Sequence, residues 1–225
     1  MNRLHAPRAL LALLLTLPWA GPVLASLTLF DNLAQDGDYY VSITNTDWSA
    51  QGFSTAAGAV MLNEVEVALY NDSGTGGDFA IELWNSTGTG GTPGTRLAQL
   101  FQGGAGLLGS DSSDSFEING LSLALAAATD YYLVVRGIDL DALSEIKWTY
   151  ADSALGTGLP ADYTQTTDSG PSWGVPVQDN PQKMRIEATA TAPVPGTLAL
   201  LGLGVVALVR RRLPRSWPRS AVARG

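Results

Sequence analysis

The chemistry open to this chain is set by its acids, because its other reactive groups are nearly absent. Among 225 residues there are 21 Asp and Glu, one histidine, His5, and no cysteine. The lack of cysteine excludes a disulfide framework, a thiolate nucleophile, a thiolate metal site and an iron–sulfur cluster. His5 lies in a leader-like segment, so its removal would take imidazole chemistry with it and exclude Ser-His-Asp, Cys-His and imidazole–zinc arrangements. Carboxylate, lysine and hydroxyl chemistry is left. Glycoside hydrolysis needs two carboxylates about 5–10 Å apart, a spacing that some pair among so many acids meets by chance. Glu64 and Glu66, two apart on the solvent side of a strand, read more simply as solubilising charges. The acids fall mainly on solvent faces and in Gly-rich turns, where acid–base catalysis has little to work with. The chain is therefore expected not to be an enzyme and to need no cofactor.

Two binding chemistries remain. Hard cations take Asp and Asn oxygens from loops, and Asp72 with Asp78, Asp111 with Asp114, and Asp139 with Asp141 are the pairs that calcium would use. None fits the EF-hand loop pattern, so solvated turns are the default reading. Four tryptophans belong to the central part of the chain: Trp48, Trp84, Trp148 and Trp173. An indole stacks on sugar rings and offers a donor, which makes Trp84 and Trp173 the candidate glycan contacts, while Trp48 and Trp148 are read as core.

Charge divides the chain. All the acids lie between Asp31 and Glu187, against five bases, Arg96, Arg136, Lys147, Lys183 and Arg185, a formal charge of −16 for that stretch. Such a body repels phosphate backbones, so nucleic acid is not an expected partner. The flanks are basic, with Arg3 and Arg8 before it and six arginines from Arg210 to Arg224 after it.

The elements that position these residues read as strands. Short runs of period two, separated by Gly, Asn, Asp and Pro, indicate an all-β domain, a single two-sheet β-sandwich of jelly-roll-like form. In NEVEVALY, Val65, Val67 and Leu69 share one face. Phe79, Ile81 and Leu83 alternate with Ala80, Glu82 and Trp84. Tyr131 to Arg136 is apolar on both faces and so is expected at the centre of a sheet. Further strands are expected at Leu27–Phe30, Tyr39–Thr44, Arg96–Leu100, Ser115–Ile118, Leu121–Leu125, Ile146–Tyr150 and Met184–Ala188. Asn119-Gly120 reads as a two-residue hairpin turn and Gly91-Thr92-Pro93-Gly94 as a type II turn.

The ends read as addresses. Arg3 and Arg8, the apolar run Ala9 to Leu17 and Val23-Leu24-Ala25 form a signal peptide, with cleavage by signal peptidase expected between Ala25 and Ser26. At the other end, Pro195 to Val209 is an apolar stretch of 15 residues, about 22 Å of helix against a hydrocarbon core of about 30 Å. Arg210, Arg211 and Arg212 follow it and place the cytoplasmic side. Such a short helix suits transient membrane anchoring. Three segments result: 1–25 signal peptide, 26–191 β-sandwich, 192–225 C-terminal sorting signal.

The stretch Pro193-Val194-Pro195-Gly196, the apolar helix and the Arg210–Arg212 cluster resemble the PEP-CTERM sorting signal of Gram-negative exported proteins. That family combines a Pro-Glu-Pro motif, a short apolar helix and an arginine cluster. The resemblance implies processing by exosortase, a membrane-embedded cysteine peptidase, in organisms that make exopolysaccharide. Two departures are that Val194 stands where the family has glutamate and that 13 residues follow Arg212. A second resemblance lies in the body. FDN (Phe30 to Asn32), WSAQGFST (Trp48 to Thr55), VALYNDSGTGGDFAIELW (Val67 to Trp84), GTPGTRLAQL (Gly91 to Leu100), LSLALAAATDYYLVVRG (Leu121 to Gly137) and WTY (Trp148 to Tyr150) are similar to the choice-of-anchor R type of bacterial surface domain. It implies an exported, displayed β-domain and hands over no catalytic residues. The expected function is that of a non-enzymatic cell-surface or exopolysaccharide-matrix protein. The alternative is a carbohydrate- or calcium-binding module at the surface.

Overall fold

Alternating side chains become strands through most of the body. The computed structural model describes residues 25–191 except 38, 72, 73, 75, 142–144 and 160. The signal segment before Ala25, the sorting residues Pro193, Val194, Pro195, Gly196, Arg210, Arg211 and Arg212, and Asp72 of the first cation pair lie outside the described residues. The elements among the described residues are antiparallel strands and two short 3₁₀ turns, Thr89–Gly91 and Ala105–Leu107. The fold is all-β with several antiparallel sheets, consistent with a β-sandwich.

One sheet is ordered β1 (Ser26–Asp31), β13 (Met184–Ala190), β4 (Val60–Val67), then β8 (Phe116–Ile118) and β9 (Leu123–Leu125), which both pair with β4. A second sheet runs β12 (Tyr163–Thr166), β3 (Trp48–Ser54), β10 (Asp130–Ile138), β6 (Asp78–Asn85), β7 (Arg96–Gly104). A smaller third sheet, absent from the two-sheet expectation, is ordered β2 (Tyr39–Ile43), β11 (Ile146–Tyr150), β5 (Leu69–Tyr70). It branches from the first where Ala68 interrupts the chain between β4 and β5, its amide turning to the Lys183 carbonyl at 3.1 Å.

The sheets share one core. Val65 and Val67 of β4, Ile186 of β13, Ile81 and Leu83 of β6, and Leu133 and Val135 of β10 all belong to it, each almost completely excluded from solvent. Trp148 is fully buried there, with Nε1 donating to the Lys183 carbonyl at 3.0 Å. β10 is the middle strand of its sheet, as its two apolar faces imply: Tyr131, Leu133 and Val135 point into this core, while Tyr132 and Val134 pack in a smaller cluster on the other face.

Three expectations are corrected. Asn119-Gly120 is no hairpin turn, because Ile118 pairs with Val65 and Leu123 with Leu62. The two segments form one edge along β4, interrupted where Gly120 takes φ 71° and the Leu121 amide reaches the Asn63 carbonyl at 2.9 Å. The loop containing Pro93 is no type II turn at Pro93-Gly94. Its left-handed residues are Gly90 and Gly91, at φ 74° and 83°, and it is organised by Asn85, whose Oδ1 accepts from the Thr95 amide at 2.8 Å and Thr87 Oγ1 at 2.7 Å. Trp48 lies half-buried in the smaller cluster, outside the main core. Glu82 is an exception to the acids' placement mainly on solvent faces, being fully buried. The strands β3 and β12 were also not foreseen. In β3 the run Ser49 to Phe53 is buried on both faces although Ser49, Ala50, Gln51 and Gly52 are small or polar, so no alternation marks it.

Candidate ligand-binding face

Rows of cross-strand partners on the outer side of the second sheet carry its polar residues. Ala50, Val134 and Glu82 make one row, and Gly52, Tyr132 and Trp84 the next. Glu82 sits at the heart of this face. Its Oε1 accepts from Arg96 Nη1 at 2.9 Å and Arg136 Nε at 3.0 Å, and its Oε2 from Trp84 Nε1 at 2.9 Å. A buried carboxylate without such partners would be strongly unfavourable. The signal for it was present in the sequence: Glu82 is flanked by Ile81 and Leu83, and the neighbouring strand carries Arg136.

The tryptophans close over this charge cluster. Arg136 lies 5.2 Å from the Trp48 ring centroid, a cation–π distance, and Trp48 Nε1 donates to the Asn45 carbonyl at 3.1 Å. Trp84 meets Trp173 edge to face, centroids 6.2 Å apart. The loop bearing Trp173 is stapled by Asp168, whose Oδ1 accepts from Thr166 Oγ1 at 2.6 Å and from the Ser172 amide at 3.0 Å. Those bonds hold its carboxyl below the ordinary value of 3.8, the Thr166 hydroxyl contributing most. Gly170 brings the same loop against Trp48. A Cβ there would stand 2.6 Å from the indole. The two tryptophans singled out from the sequence are thus brought together, with the Trp84 donor spent on Glu82. Trp173 borders a groove of about 720 Å³ between segments 88–94 and 170–176.

Beside this cluster lies a polar cleft of about 340 Å³ that sequence reasoning missed. Its floor is the cross-strand pair Gly52 and Tyr132. A Cβ on Gly52 would come within 2.8 Å of the Asp162 carbonyl, so only glycine lets this wall approach. Asp162 is pinned from beneath: its carbonyl accepts from the Gly52 amide at 2.6 Å and from Gln51 Nε2 at 3.2 Å. Its carboxylate Oδ1 accepts from Gln178 Nε2 at 3.0 Å. Across the cleft, Ser54 Oγ donates to Asp130 Oδ1 at 2.5 Å. Ser86 and Gly91, from the loop organised by Asn85, complete the rim. Tyr132 is only 3% exposed as a residue, with its hydroxyl reaching the water of the cleft. Burial first, then the nearby carboxylates of Asp162 and Asp130, push its pKa up to about 12. The phenol therefore stays protonated and available as a donor at ordinary pH.

The other acids are placed as follows. Glu64 and Glu66 share Arg185, whose Nη2 lies 2.9 Å from Glu64 Oε1 and 2.6 Å from Glu66 Oε2, on the outer face of the first sheet. Asp111 caps a turn, its Oδ1 accepting from the Ser113 amide at 3.0 Å, while Asp114 Oδ2 accepts from the Asp111 amide at 3.0 Å. Asp139 takes φ 52° in the turn after β10. Among the described residues no three His, Asp or Glu side chains are placed to share a metal ion. Also among them, no helix is long and apolar enough to cross a membrane. Compared with known protein families and with curated proteins, the chain matches none.

Proposed function

We propose that the chain is an exported, non-enzymatic protein of a Gram-negative cell surface or exopolysaccharide matrix. In this reading signal peptidase removes residues 1–25, and exosortase recognises Pro193 to Gly196, the short apolar helix and Arg210 to Arg212. The helix serves as a transient anchor. The body, for which we propose a jelly-roll-like two-layer sandwich, is what the cell displays.

The observation that supports the reading is where the first and last strands of the body lie. Ser26 opens β1 and pairs with Thr189 of β13, and the Ala190 amide donates to the Ala25 carbonyl at 3.0 Å. The first and last strands are therefore neighbours, and both signals join the body at one edge of one sheet. Removing or anchoring either end there leaves the other sheet untouched. The most enclosed carboxylate among the described residues, Glu82, is ion-paired with two arginines and accepts a hydrogen bond from an indole, a structural arrangement with no open side toward a substrate.

The test is to incubate the protein recovered from its host with that host's exopolysaccharide and follow the polymer's size. No depolymerisation is expected. Depolymerisation abolished by one Asp or Glu substitution would overturn the non-enzymatic reading. The second reading, a displayed binding module, is favoured by one observation, the polar cleft on the second sheet.

A further inference from the structure

We infer that the cleft floored by Gly52 and Tyr132 binds a neutral, polyhydroxylated sugar residue. The inference deepens the binding-module reading and does not depend on how the protein is exported or cut.

The groups facing the cleft define the ligand. Asp130 and Asp162 are each fixed through Oδ1 by one neutral donor, Ser54 or Gln178, so each keeps its second carboxylate oxygen for a ligand hydroxyl. Tyr132 supplies a phenol that no described residue engages and whose hydroxyl faces the cleft, and Ser86 adds a hydroxyl that can give or take. A sugar ring presents several hydroxyls that donate and accept at once, together with a ring oxygen that only accepts. That pattern suits two carboxylate acceptors flanking a phenolic donor. The phenolic hydroxyl faces the water of the cleft, and a ligand acceptor would take the place of that water.

The alternatives fit less well. No lysine or arginine lines the cleft, so a phosphate, sulfate or uronate would meet two carboxylates with no counter-charge. A calcium ion takes six to eight oxygens, whereas the cleft offers one unengaged oxygen from each of two carboxylates, and no third acid among the described residues is placed to share a metal ion there. The volume, about 340 Å³, is at the small end of ligand pockets, which suits a single ring or the end of an oligosaccharide. The walls are also set in advance. Gln51 and the Gly52 amide fix Asp162, and Asn85 fixes the loop carrying Ser86 and Gly91, so little ordering is needed on binding.

The test uses the protein recovered from its host, its mass measured on the same preparation so that processing is read separately. It is titrated calorimetrically with neutral hexose oligosaccharides, with oligogalacturonate, and with calcium chloride alone. Saturable binding of a neutral oligosaccharide is expected, unchanged by chelator and weakened at least tenfold in Tyr132→Phe and in Asp162→Asn. The Phe variant removes only the hydroxyl, and the Asn variant keeps the Gln178 bond. Thermal melting of both checks the fold. If either variant fails to fold, Asp130→Asn, at an exposed position, takes its place. The proposal is overturned if no neutral oligosaccharide saturates, if folded variants bind as tightly as the parent, if oligogalacturonate is preferred, or if calcium alone saturates the site.

Discussion

At Glu82 a buried charge is held by partners of unequal standing. Arg136 is mostly buried, with 20% of its side chain exposed, whereas half of the Arg96 side chain meets solvent. Removing the shared carboxylate strands Arg136 beneath the Trp48 ring, so Glu82→Ala should cost about 3 kcal/mol in denaturant melts. Arg96→Ala should cost under about 1 kcal/mol, since an exposed partner is replaced by water. Equal losses would show that Arg96 matters as much as the carboxylate it binds, contrary to its exposure. Asp168 gives a pH signature. Its carboxyl is held below 3.8, by Thr166 first and the Ser172 amide next. A lowered folded pKa means that its stabilising contribution is complete above the ordinary carboxylate value and is lost as pH falls through the lowered one. Tryptophan emission should therefore shift red in acid as the Trp173 loop loosens. In Asp168→Asn the loop should be looser already at pH 7, and the acid step should be missing.

The strands show what alternation does and does not carry. β6, β10 and β11 were legible because large apolar residues recur at every second position, and the central place of β10 followed from Tyr132 and Val134 opposite Tyr131, Leu133 and Val135. β3 was not legible. Its burial rests on Gly52 and Gln51, which serve close approach and an internal hydrogen bond and leave no hydrophobic period. The cleft escaped for a related reason: Asp130 and Tyr132 lie together on β10, but Asp162 just before β12 and Gly52 on β3 join them only through strand pairing, and nothing in the linear chain puts a tyrosine over a glycine 80 residues away. Turn chemistry misled at Asn119-Gly120 because the same dipeptide that closes hairpins also serves an interruption along one edge. At this scale the 167–176 loop is the element most open to test. Gly170 has φ 99°, and a Cβ would enter the Trp48 ring. Gly170→Val should cost about 1–3 kcal/mol and raise quenching of tryptophan fluorescence by acrylamide. Unchanged quenching would mean that the loop does not cover Trp48 in solution.

For the whole molecule, the pairing of β1 with β13 joins address to architecture. The body begins and ends on neighbouring strands, so the proposed leader and sorting segment attach at one edge while the cleft belongs to the other sheet. The sorting segment itself is testable through its departure from the family pattern. Val194→Glu restores the residue that the PEP-CTERM signal has, and processing in the host should be equal or more complete. Reduced processing would mean that Pro193-Val194-Pro195 is read by another rule. The central claim, that the chain is trimmed at both ends and the body displayed, is tested most directly by the intact mass of the protein recovered from its host. The account predicts an N-terminus at Ser26 and a C-terminus near Pro193 to Gly196, with or without the mass of an added anchor. A protein that begins at Met1, or that still carries the peptides from Arg215 to Gly225, would contradict it.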